Sequence, residues 1–94
     1  MRRKYDVAFE KIRRLCSVVD GTFVPDEQRK SVSCVSDSLS ISYVSGRYSI
    51  VLPLDFGSVA LVVNDIDFSS NGGVLLLGKD AGFAVSLRRP VFGE

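Results

Sequence analysis

The sequence predicts an α+β domain: an N-terminal amphipathic helix packed on an antiparallel β-meander of about six short strands. Two observations carry this. Apolar residues recur at helical spacing over residues 4–19, and from Ser31 onward the period switches to two. Turn chemistry at Ser36-Asp37-Ser38, Ser45-Gly46, 55–58, 70–72 and 79–82 then cuts the remainder into short segments. The strands can curl into a half-open barrel. With 94 residues there is room for one domain, 1–94, with the helix at 4–19, the sheet at 31–88 and a tail at 89–94.

In the helix, Tyr5, Ala8, Phe9, Ile12, Leu15, Cys16 and Val19 form the apolar stripe, and Arg3, Glu10, Arg13, Arg14 and Ser17 fall on other faces. Asp20-Gly21 ends it, with Gly21 suited to the left-handed position after the last turn. The stretch TFVPDEQRK reads as a connector, because Pro25 removes a backbone donor. A two-residue turn at Ser45-Gly46 places Tyr43 opposite Tyr48, Ile41 opposite Ile50, Leu39 opposite Leu52 and Ser42 opposite Ser49, so apolar side chains meet on one face and mostly hydroxyls on the other. Residues 59–68 read as one strand, 74–78 as the next and 83–88 as the last. A four-residue loop at Lys79–Gly82 pairs Leu76 with Val85 and Val74 with Leu87. The expected core is Phe9, Ile12, Leu15, Leu39, Ile41, Ile50, Leu52, Ile66, Phe68, Val74, Leu76, Val85 and Leu87.

Composition bounds the function. Hydrophobic residues make up 46% of the chain and mean hydropathy is +0.19, more apolar material than one small core hides, which points to self-association, as a homodimer, or to a protein partner. Net charge is +1, which does not mark a nucleic-acid binder. The first fourteen residues nevertheless hold Arg2, Arg3, Lys4, Lys11, Arg13 and Arg14 against Asp6 and Glu10. No signal-peptide pattern or apolar run long enough to cross a membrane occurs, so the chain reads as cytoplasmic, with Cys16 and Cys34 as buried free thiols.

The stretch DIDFSSNGG at 65–73 has three competing readings. Asp65, Asp67, Ser69 and Asn71 alternate as oxygen ligands do in a calcium loop, but the sixth and twelfth positions hold Ser70 and Leu76 where an EF-hand needs glycine and glutamate. As a hairpin, a three-residue loop Ser70-Asn71-Gly72 pairs Phe68 with Val74 and Ile66 with Leu76, and puts Gly72 where a left-handed residue is needed. Asp67, Ser69 and Gly72 also spell D-x-S-x-x-G, and over these six positions the chain resembles the PilZ domains. The resemblance implies a cyclic dinucleotide as ligand. It also implies an upstream R-x-x-x-R pair for the phosphates, and Arg2-Arg3-Lys4-Tyr5-Asp6 lacks the second arginine.

The opposite face of these strands carries Asp65, Asp67, Leu75, Leu77, Ala84, Ser86 and Arg88. Two leucines beside two aspartates suggest a covered surface, with the leucines as anchors and Asp65, Asp67 and Arg88 as a polar rim. The tail, through Val91 and Phe92, is another candidate cover. Chemistry is thin. With no histidine there is no Ser-His or Cys-His nucleophile pair, two cysteines do not make a structural zinc site, and no phosphate-binding glycine motif occurs. The expectation is a small non-catalytic interaction protein without metal or cofactor, an adaptor or inhibitor that occludes a larger protein, of the size of phage- or mobile-element-encoded modulators. The alternatives are nucleic-acid or anionic-ligand binding through Arg2, Arg3, Lys4, Arg13 and Arg14, and a degenerate PilZ-like site.

Overall fold

The computed structural model describes residues 3–70, 72–79 and 82–85, with residue 83 described by its backbone alone. It has one helix, α1 (Lys4–Val19), followed by strands β1 (Thr22–Asp26), β2 (Ser31–Val35), β3 (Ser40–Val44), β4 (Arg47–Leu54), β5 (Gly57–Val63), β6 (Asp65–Phe68), β7 (Val74–Leu77) and β8 (Gly82–Val85). All pairings are antiparallel between sequence neighbours. The first five strands form one sheet in the order β1-β2-β3-β4-β5, and the last three form a second, β6-β7-β8. The predicted α+β class holds, with the helix limits as expected and no closed barrel among the described residues.

Helix α1 turns one face to both sheets. Tyr5, Ala8, Ile12, Leu15 and Cys16 are buried on it, and Asp6 lies in the first turn, where the helix dipole favours a carboxylate. The larger sheet contributes Val32, Cys34, Ile41, Tyr43, Tyr48 and Ile50, and the smaller one Ile66, Val74 and Leu76. Of the expected core, Phe9, Leu52, Phe68 and Val85 are only partly covered, and Leu87 lies outside the described residues. The Ser45-Gly46 turn takes the left-handed conformation at both positions, φ 51° and 84°, which matches the strand twist and sets the predicted register of β3 on β4.

Several expectations are corrected. The connector TFVPD is an edge strand, because Pro25 stands in a pair where its missing N–H would have faced away from β2. The segment 59–68 is two strands in two sheets. Its alternation inverts at Asn64, so that Val63 and Ile66 both point inward, and the Asn64 N–H bonds to the Leu77 carbonyl at 2.9 Å. Each residue of β7 meets a partner in β8 two residues earlier than expected, with Val74 opposite Val85 in place of Leu87 and Leu76 opposite Phe83 in place of Val85. A shift of two leaves every side chain on its face.

The cysteines are joined. Cys16, in the last turn of α1, is bonded to Cys34 in β2 with the two Cα atoms 5.7 Å apart. The expectation of free thiols is therefore overturned, and with it the argument from thiols to a reducing compartment. The bond also explains the glycine that follows the helix. Asp20, at φ 55°, takes the left-handed position that Gly21 was expected to fill. Gly21 is needed for space instead, since a Cβ there would stand 2.6 Å from the Cys34 sulfur. No helix among the described residues is long and apolar enough to cross a membrane.

Candidate functional site

The small sheet brings the predicted leucines and aspartates together. Asp65 lies opposite Leu77 and Asp67 opposite Leu75, so all four share the face turned away from the core. The aspartates are already engaged. Lys11 Nζ reaches across from α1 to donate to Asp65 Oδ1 at 3.1 Å and to the Ile66 carbonyl at 2.6 Å, while Asp65 also accepts the Ile66 N–H. Asp67 accepts the Phe68 N–H at 2.8 Å. Leu75 is half-buried and Leu77 is 37% exposed, a small apolar patch. Arg88 lies outside the described residues.

Ser69, used by both the calcium and the PilZ readings, and Gly72 of the PilZ reading build the β6–β7 turn. Ser69 Oγ accepts the Gly73 N–H at 2.9 Å, the Gly72 N–H donates to the Ser69 carbonyl at 3.0 Å, and Gly72 takes φ 86°, the left-handed conformation the hairpin reading requires. Asn71 lies outside the described residues. Among the described residues, no three His, Cys, Asp or Glu side chains converge as a metal site would need.

The basic residues of the helix do not converge either. Lys4 and Arg13 are nine positions apart, about half a turn out of phase at 3.6 residues per turn. Arg13 pairs with Glu10 at 2.8 Å, and Arg14 lies over the Phe68 ring, 5.3 Å from its centre, which ties α1 to the small sheet. Arg3 and Lys4 are exposed at the N-terminal end, and Arg2 lies outside the described residues.

Beside Lys4 a cleft of about 320 Å³ opens between the start of α1 and the β3–β4 turn, with Tyr43, Tyr48, Asn64 and Asp65 on its walls. The two tyrosine rings are 4.9 Å apart. Burial, and then the nearby Asp65 carboxylate and Tyr43, push the Tyr48 phenol well above its ordinary range. Tyr48 thus stays protonated at neutral pH. It supplies a hydrogen-bonding group and no base.

Among the described residues, the largest apolar exposure lies where the sequence reading placed only strands and a loop. From Tyr48 to Asn64 the chain carries one charged side chain, Asp55. Strands β4 and β5 run together beyond the end of the core as a hairpin arm closed by Asp55-Phe56. Phe56 at the tip is 92% exposed, and Leu54 and Val59 behind it are 49% and 38% exposed. On the arm's core-facing side Leu52 and Leu61 are half-covered. Its other side continues the outer face of the five-stranded sheet, where Val24, Val35, Val44, Val51 and Val62 alternate with serines and stand exposed. The run of residues from Tyr48 to Asn64, broken by the single charge of Asp55, was the available signal for the arm. It was missed because alternation alone assigns one side of each strand to a core.

No protein-family model, curated protein or solved structure matches the chain.

Proposed function

We propose that the chain is a non-catalytic protein-interaction module that associates with itself and with a larger protein through the β4–β5 arm, as an adaptor or an inhibitor acting by occlusion. The observation that carries this reading is Phe56, almost fully exposed at the tip of an arm whose one charge is Asp55. Solvent-exposed aromatic and aliphatic side chains grouped on a projecting element are the usual anchors of an interface. Leu75 and Leu77, with Asp65 and Asp67 beside them, form a second and smaller surface in this account. The basic helix is a weaker candidate, because Arg13 and Arg14 are engaged within the domain.

The test compares three variants in capture from lysate of the source or host cell, with protein and nucleic acid both analysed. Phe56→Asp should lose the protein partner while keeping the fold. Leu77→Asp should weaken capture less. A variant pair Arg13→Glu and Arg14→Glu should leave it unchanged. Loss of bound nucleic acid in the arginine pair, with Phe56→Asp unaffected, would replace this reading with the nucleic-acid one.

A further inference from the structure

The two edges of the five-stranded sheet are built differently. In an antiparallel ladder alternate residues of an edge strand point their N–H and C=O groups away from the neighbouring strand. The two-residue turns at Ser45-Gly46 and Asp55-Phe56 make Val44–Arg47 and Leu54–Gly57 bonded pairs, which sets this parity for every strand of the sheet. On β1 the outward-facing residues are Phe23 and Pro25. Proline removes one of the donors of that edge, and Asp26 ends the strand with a charge. On β5 the outward-facing residues are Ser58, Ala60 and Val62, each with both groups to offer. Strand β5 has no charge and no proline, and among the described residues only β4 pairs with it. One edge carries the devices that stop strand addition and the other carries none.

From this we infer that β5 pairs antiparallel with β5 of a second copy, about a two-fold axis at Ala60, so that two five-stranded sheets become one. The inference rests on the reading of the arm as an interaction surface and names one of its occupants. The strand is its own complement. Gly57–Val63 is centred on Ala60, so an axis there pairs the whole strand with itself. Ala60 is also an outward-facing residue, and an axis at such a residue lets it exchange both bonds with its own copy. Full overlap and bonding parity therefore select the same register, with about six inter-chain hydrogen bonds from the three outward residues of each copy. Side chains agree. Val59 meets Leu61 of the other copy on the core-facing side, and Ser58 meets Val62 on the outer side. Ala60 meets Ala60 at the axis, where a small residue lets the strands approach. No charged pair is brought face to face along the strand. Because such an axis is perpendicular to the sheet, both helices lie on one side. The half-exposed Val59 and Leu61 of both copies then form a single apolar strip between them.

The experiment is sedimentation equilibrium of the full chain from micromolar to submillimolar concentration, with hydrogen exchange read at Ser58, Ala60 and Val62. A dimer is expected, with these three amides protected in concentrated and exposed in dilute solution. Ala60→Pro removes an outward N–H without touching a β4–β5 bond, and should weaken self-association about a hundredfold, because two edge bonds vanish and two carbonyls lose their donors. If Ala60→Pro does not fold, Ala60→Lys places a charge on the axis and should give the same loss. A wild-type chain that stays monomeric, whether β5 is bare or covered by residues 86–94, overturns the inference. So does a dimer that both variants leave unchanged. A monomeric wild type whose partner capture still depends on Phe56 would end the two-fold pairing and leave the interaction reading standing. A monomeric wild type whose partner capture is unchanged by Phe56→Asp would end that reading as well.

Discussion

Replacing Gly21 with alanine puts a methyl carbon where two sulfurs already stand. The new Cβ would lie 2.6 Å from Cys34 Sγ, 3.0 Å from Cys16 Sγ and 3.0 Å from the Val35 carbonyl oxygen. Ordinary contacts between heavy atoms begin at about 3.5 Å, so the closest sulfur is nearly 1 Å too near. None of the three neighbours moves freely. The sulfurs are bonded to each other and anchored in α1 and β2, and Val35 is in the ladder with Thr22. Overpacking of this kind costs about 1–3 kcal/mol, and the stiffer unfolded chain returns up to about 1 kcal/mol, leaving a net loss of about 1–2 kcal/mol. For a domain of this size that lowers Tm by about 4–16 °C. The assay is urea denaturation followed by circular dichroism, in the natural background and in a Cys16→Ala, Cys34→Ala background. Removing the sulfurs removes two of the three short contacts and leaves only the Val35 carbonyl oxygen at 3.0 Å, so Gly21→Ala should cost clearly less there than in the natural background. Equal cost in the two backgrounds would show that the sulfurs are not what crowds position 21.

Other outcomes follow from single contacts. Cutting the Cys16–Cys34 bond by the double alanine substitution should cost about 3 kcal/mol, the loop-entropy value for a separation of 18 residues; an unchanged urea midpoint would show that the bond does not constrain the chain. Ile66→Ala removes a side chain with no exposed surface and should cost about 3 kcal/mol by the same assay, whereas a loss below about 1 kcal/mol would mean the small sheet is not packed on the core. Tyr5→Phe should leave stability unchanged or raised, because the buried Tyr5 hydroxyl has no hydrogen-bond partner among the described residues; a clear loss would reveal one. The raised Tyr48 phenol predicts a pH dependence. The folded chain holds this proton more tightly than the unfolded chain, so the stabilisation is fully present below the ordinary tyrosine value of 10.0 and is lost as pH rises beyond it. Tyr48→Phe should flatten that alkaline loss, and an unchanged slope would contradict the assignment.

Much of the fold was legible because local pattern and turn chemistry agree. The helix limits, the β3–β4 register and the β6–β7 hairpin all follow from periodicity plus a residue able to take positive φ, as at Gly46 and Gly72. The errors arose where periodicity carries no information. Residues 59–63, VALVV, are apolar on both faces, so the inversion at Asn64 left no mark in the alternation. In 83–87, Phe, Val and Leu occupy every second position, so two registers differing by two residues satisfy the same pattern. Pairing of Cys16 with Cys34 needed the third dimension, since it depends on which strand lies under the last turn of α1. The candidate site divides the same way. Asp65, Asp67, Leu75 and Leu77 were placed on one face by alternation, correctly as to geometry. Engagement of Asp65 by Lys11 spans 54 residues of sequence and had no local signal. The exposed arm depends on where the core ends, which follows from the length of the strands relative to what covers them.

The central claim, that the arm is an interaction surface, is tested most directly at its tip. Phe56 replaced by a photo-reactive phenylalanine analogue, in the full chain and in its own cell, would be irradiated and its adducts identified. A protein adduct at position 56, to a partner or to a second copy, is expected, with little at Asp37 as a control on another turn. An unmodified position 56, with an adduct formed instead from the same analogue at Leu77, would contradict it.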